Sequence, residues 1–148
     1  MQQRYNTPVL RPTSFRLPAE LLSRLDAEAA RTRTTVTALI SSLLDEGLKA
    51  RDFPGITYRD GPAGRRAAVA GGPDVWELVR AVKQGPGTGE QRLRSVAEEL
   101  GLPLRHLRLA IEFYAVYPGE IDERIAADDQ AAARLREQID RRERLISG

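Results

Sequence analysis

The sequence contains no cysteine, which excludes disulfides and cysteine-ligated zinc outright. Histidine occurs once, at position 106, so no second imidazole or thiolate is there to share a metal with it; His106 is read as an exposed surface residue. No apolar run approaches the roughly 20 residues needed to cross a bilayer, and no charged start leads into an apolar stretch. The chain is therefore expected to be cytoplasmic, with no membrane partner. No acid–base or nucleophile pair can be assembled from these residues, so neither enzyme activity nor a cofactor is expected. Gly85, Gly87 and Gly89 lack the following Lys-Ser/Thr of a phosphate-binding loop and read as a linker. Asp122, Glu123, Asp128 and Asp129 fall on one continuous helical stretch with no base nearby, which favours a solvated face over a Mg²⁺ site.

What is present is an ordinary globular composition, 41% hydrophobic and 30% charged, over 148 residues. That is room for one domain or two small ones. The net charge of +2 says little, but its distribution is uneven. Arg4, Arg11 and Arg16 fall in the first 17 residues with no acid among them, whereas Pro118 onward carries eight acids against six arginines. A basic head and a mildly acidic tail suggest different partners for the two ends.

Residues 1–11 show no periodicity and read as a flexible tail. Thr13, Phe15 and Leu17 then alternate with Ser14 and Arg16, the pattern of a short strand with one apolar face, which Pro18 stops. A helix is expected over 18–31, with Leu21, Leu22, Leu25 and Ala29 on one stripe. The Thr-rich connector 32–35 offers cap hydroxyls for a second helix over 36–49 carrying Val36, Leu39, Ile40, Leu43 and Leu44. A lone strand leaves both of its edges unpaired, and a two-helix core is thin. A symmetric dimer resolves both problems by pairing the strands and pooling the helices.

The chain changes character after Asp52. Ile56–Arg59 and Arg66–Val69 flank a Gly/Pro-rich turn and predict a hairpin. Asp74 can cap a helix bearing Val75, Trp76, Leu78, Val79 and Val82. Leu93 to Leu100 marks a further helix ended by Gly101, and Leu104 to Tyr114 the next. Beyond Gly119 no proline or glycine interrupts a long helix until its end. Along it Ile121, Ile125, Ala132, Leu135, Ile139 and Ile146 follow steps of four and three, with Asp128 and Arg142 in the remaining seam positions. A stripe this narrow wants another helix or a groove, either on its own bundle or on a partner.

Ser14-Phe15-Arg16-Leu17-Pro18, the two helices and the Thr-rich connector resemble the ribbon-helix-helix family of bacterial repressors and antitoxins, over residues 12–50. The resemblance implies a dimer whose paired strands enter the major groove and read bases with outward side chains. The readers here would be Ser14 and Arg16, with Arg11 close by, and the amides around Thr35, Val36 and Thr37 would hold a phosphate. Two positions depart from the family. Pro12 stands where a third polar reader is frequent, and Arg33 where glycine is common, which leaves the geometry of the turn open.

Residues 53–117 carry a second resemblance, through Phe53-Pro54-Gly55-Ile56, Arg59 to Arg66, Asp74-Val75-Trp76 and Val96 to Leu102. They look like a small domain of unassigned biochemistry found in antitoxins of PIN-like ribonuclease toxins. It comprises a hairpin and a helix-turn-helix-like bundle. Arg105, His106 and Arg108 open the second helix of that stretch; a packed bundle with solvated arginines is favoured there over a second DNA contact. In several such antitoxins a C-terminal arginine enters the toxin's acidic metal site. By that resemblance the toxin-binding set would be Ile121, Ile125, Leu135 and Ile139 with Arg134, Arg136, Arg141, Arg142 and Arg144.

The expected fold is mainly α with short β. A dimeric ribbon-helix-helix head (12–51) is followed by a β-hairpin and helical-bundle domain (52–118) and a long C-terminal helix (119–148). Residues 51–55 would act as a hinge. The expected function is that of a type II antitoxin that binds operator DNA and a PIN-like ribonuclease toxin. It would be a homodimer, with a higher hetero-oligomer left open. The alternative is a stand-alone ribbon-helix-helix regulator whose second domain senses a ligand or adds a DNA contact.

Overall fold

A computed structural model of the chain describes residues 9–62 and 64–148. Most of the expected tail therefore lies outside the described residues. Among those described the chain is mainly helical, in the order α1 (Ala19–Thr32), α2 (Val36–Asp52), β1 (Ile56–Arg59), β2 (Arg66–Val69), α3 (Val75–Gln84), α4 (Gly89–Leu100), α5 (Leu104–Val116) and α6 (Pro118–Ser147). The strands form a two-stranded antiparallel sheet. The chain divides into two compact units between Leu44 and Asp45, inside α2 and upstream of the boundary expected from the sequence.

In the first unit, Pro18 precedes α1 and its carbonyl accepts the Leu22 N–H at 3.1 Å. Leu25 and Ala29 are buried, whereas Leu21 and Leu22 of the same stripe are exposed. The helix ends in a Schellman-type turn: Arg33 N–H meets the Ala30 carbonyl at 3.3 Å and Thr34 N–H the Ala29 carbonyl at 3.0 Å. Arg33 takes the left-handed conformation usually left to glycine, at φ 55° and ψ 41°. The backbone of the turn is thus the one a glycine would give, and the arginine bears the strain. Thr35 then caps α2, its Oγ1 accepting the Ala38 N–H at 3.1 Å. The strand expected over Thr13–Leu17 does not form within one chain; those residues belong to no regular element. A strand exists only through its ladder, and among the described residues the only ladder is that of β1 with β2.

The second unit has a continuous apolar core in which Phe113, Leu107, Leu78, Val75, Val79 and Val96 are the largest fully enclosed side chains. The hairpin pairs Ile56 with Val69 and Arg59 with Arg66, over the residues expected from the sequence. Asp74 precedes α3, and Glu77 reaches back to accept the Asp74 N–H at 3.0 Å. Gly101 ends α4 in the same turn as Arg33, at φ 64° and ψ 32°, with Leu102 N–H on the Ala97 carbonyl at 2.9 Å. Residues 51–55 are not a loose link. The Phe53 ring packs edge-on against Phe113 at 5.4 Å and against Tyr117 at 6.0 Å.

The long helix α6 has two different halves. In the first, Ile121 is buried and Ile125 packs on the core. Arg80 holds Asp128 and Asp129, each at 2.7 Å, and Lys83 holds Asp122 at 2.7 Å. These aspartates are therefore not a merely solvated face; three of the four acids clamp α6 to α3, because docking the apolar stripe carries them alongside the α3 cations. No group of acids and histidines suited to a metal occurs among the described residues. In the second half the stripe continues without cover: Leu135 is 57% exposed, Ile139 46% and Ile146 71%.

Candidate binding surfaces

In the first unit, Arg11, Ser14 and Arg16 are all exposed, and they flank Phe15, which is 54% exposed, and Leu17, which is half-buried. Large apolar groups crowd the same unit's surface, with Leu21, Leu22, Leu43 and Leu44 all exposed. Val36 and Thr37 stand in the first turn of α2, where backbone N–H groups have no intrahelical acceptor and attract anions. The Thr35 hydroxyl occupies one amide of that turn, and the Thr35 carbonyl accepts the Leu39 N–H at 2.9 Å. The structure thus leaves the two expected base readers, Ser14 and Arg16, and the neighbouring Arg11 exposed, and the expected phosphate cradle at a helix start.

The second unit holds two charged clusters that the sequence did not announce. Asp74 is 4% exposed, yet it accepts hydrogen bonds from Arg59 Nε at 2.8 Å, from Trp76 Nε1 at 3.1 Å and from Arg66 Nε. Burial alone would raise its pKa; the Arg59, Arg66 and Trp76 donors outweigh that and hold the carboxyl below its ordinary value. Gly61 makes this possible, because a Cβ there would overlap the Arg66 guanidinium. The second cluster joins the C-terminal turn of α2 to β1 and α6. Glu120 accepts from the Tyr58 hydroxyl at 3.0 Å and from Lys49 Nζ at 3.3 Å, and Lys49 also reaches Asp45 at 2.8 Å. Burial, reinforced by the negative charge of Glu120, pushes the Tyr58 pKa well up. Burial would lower the Lys49 pKa, but the Asp45 and Glu120 carboxylates prevail and raise it.

Around the α4–α5 turn, Arg105 is exposed and Arg108 is ion-paired to Glu90. His106 is not the exposed residue expected. It is half-buried, with Nδ1 enclosed and lacking a hydrogen-bond partner. The helical period explains this, since His106 stands four residues before Ala110 and seven before Phe113, both buried, and its ring lies beside Gly72. Leu107, Ala110 and Phe113 all face the core, so α5 is first of all a packing helix.

On α6, the expected partner-binding residues separate. Ile121 and Ile125 serve the unit's own core, while Leu135 and Ile139 remain uncovered. Arg134, Arg136, Arg142 and Arg144 are exposed, and Arg141 is exposed and paired with Glu137 one turn back. Comparison with protein-family models, curated proteins and solved structures gives no match for this chain.

Proposed function

We propose that this protein is a type II antitoxin: a ribbon-helix-helix head dimerises and grips operator DNA, while the free half of α6 binds and silences a PIN-like ribonuclease toxin. The observation that carries the reading is the division of α6. Its first half is committed to its own core, yet the same apolar spacing continues through Leu135, Ile139 and Ile146 with nothing over it. A helix that keeps its stripe beyond its own bundle, flanked by Arg134, Arg136, Arg142 and Arg144, suits a partner with an apolar groove beside an acidic site. The head adds independent support, because the exposed Phe15, Leu21, Leu22, Leu43 and Leu44 are the surface that a symmetric dimer would cover.

The test is RNA cleavage by the ribonuclease encoded beside this gene, with the antitoxin in excess. The parent chain should co-purify with that enzyme and abolish cleavage. Leu135→Asp with Ile139→Asp should fail to inhibit, since placing a carboxylate in an apolar groove costs several kcal/mol. Both positions are exposed in the free chain, so its fold should be unaffected. Inhibition undiminished by the double variant, or a neighbouring gene product without ribonuclease activity, would remove this reading.

A further inference from the structure

Trp76, the chain's single tryptophan, lies in α3 with two guanidinium groups over its ring, Arg80 at 5.0 Å and Arg124 at 5.4 Å from the centroid. The two cations differ in kind. Arg80 is satisfied by Asp128, Asp129 and the Ile125 carbonyl. Arg124 is half-buried, has no hydrogen bond or ion pair to any described residue, and its Nε is enclosed without an acceptor. A buried charged donor left unmatched is costly, and a guanidinium cannot shed its proton to escape that cost.

Arg124 lines a cavity of about 320 Å³ within the second unit, a volume at the small end of ligand pockets. The other cations on its wall are already used: Arg65 by Glu46 and Asp60, Arg66 by Asp74. Ala67, Ile121 and Ala127 supply apolar wall beside the indole. Glu120 and Glu123 also line it, and their charges would repel a dianion more than a monoanion. A planar carboxylate matches the guanidinium fork in both shape and charge, and as a monoanion it is repelled less by Glu120 and Glu123 than a phosphate dianion is.

We infer that this cavity binds a small monocarboxylate with an apolar body, its carboxylate on Arg124 and its hydrocarbon against Trp76, Ile121 and Ala127. This goes beyond the antitoxin reading and does not depend on it. The probe is benzoate, titrated into the full chain and followed by Trp76 fluorescence and by calorimetry. Saturable binding is expected. Benzyl alcohol, which keeps the ring and lacks the charge, and acetate, which keeps the charge and lacks the ring, should each bind at least about tenfold more weakly. Inorganic phosphate should not displace benzoate.

Arg124→Gln should weaken benzoate binding by on the order of tenfold or more while leaving the circular dichroism unchanged. If that variant fails to fold, Arg124→Lys decides: it keeps the charge but loses the fork, and should again weaken binding. The control Arg94→Gln, outside the cavity, should bind as the parent does. The proposal is overturned if benzoate does not bind the parent or if benzyl alcohol or acetate binds equally well. It is likewise overturned if phosphate competes at equal concentration, or if whichever folded Arg124 variant is measured retains parental affinity.

Discussion

Arg33 is a side chain standing where the backbone prefers glycine, and the departure has a cost. Arg33 and Gly101 close α1 and α4 with the same left-handed turn, but only one of them is glycine. Arg33→Gly is expected to stabilise the protein by about 0.5–1 kcal/mol, the left-handed cost of roughly 1–2 kcal/mol less the extra chain entropy of glycine. Chemical denaturation at fixed protein concentration measures it, and a destabilised variant would show that the Arg33 side chain supplies something the backbone argument omits. Asp74 is the opposite case, a carboxylate buried because three donors converge on it. Asp74→Asn should cost about 2–3 kcal/mol, less than for a fully enclosed pair because Arg59 is half in solvent. Its pH signature follows from the direction of the shift. The folded carboxyl titrates below the ordinary 3.8, so its contribution is complete above that pH and fades as the pH falls below it. The Asn variant should therefore lose stability near neutrality and show a shallower decline on acidification from about pH 4 downward. An acid slope equal to that of the parent would mean that Asp74 is not held by charge.

At the scale of elements, α6 decides where the chain can be cut. Ending it after Tyr117 strips Ile121 and Ile125 from the core together with the partners of Arg80 and Lys83. Burial of Ile121 alone is worth about 1.5–3 kcal/mol, so that truncation should unfold or loosen the second unit. Ending the chain after Gln130 keeps all of these contacts and should leave its thermal transition within a few degrees of the parent. Melting both truncations by circular dichroism checks this; equal stability of the two would mean the docked half of α6 contributes nothing. The same helix shows what the sequence made legible. Its length, its stripe and the hairpin Ile56–Val69 were readable, because periodicity and turn residues are local signals. Where the stripe stops being buried was not, since Ile121 and Leu135 have the same pattern and differ only in what lies opposite them. The clusters on Asp74 and Glu120 were hidden for the same reason: Tyr58 and Glu120 are 62 residues apart, and only the packing of β1 against α6 brings them together. His106 reads as exposed by residue type alone, although its spacing to Ala110 and Phe113 puts it beside the buried face of α5.

For the molecule as a whole, the residues proposed for DNA binding and for toxin binding fall in separate compact units, and a separation of the two roles can be tested. The first unit contains Arg11, Ser14 and Arg16 with an uncovered apolar surface; the second contains its own core and the free half of α6. If Phe15 and the exposed leucines form a dimer core, Phe15→Asp buries a charge there and should abolish both the dimer and DNA binding. Arg16→Ala should leave the dimer intact, because Arg16 is exposed and has no hydrogen bond or ion pair to another described residue. It should instead lose about 1–3 kcal/mol on the cognate operator, and less on random DNA, if it reads a base edge. Neither variant should impair inhibition of the ribonuclease, since neither touches Leu135 or Ile139. Three measurements are therefore needed on each protein: light scattering, operator binding over a salt series, and RNA cleavage. Equal loss on operator and random DNA for Arg16→Ala would reduce that residue to a phosphate contact. A stable dimer in Phe15→Asp would overturn the ribbon-helix-helix assignment of the head. Failure of either variant to inhibit the toxin would mean that the two jobs are not housed separately, and that neutralisation requires the head as well as α6.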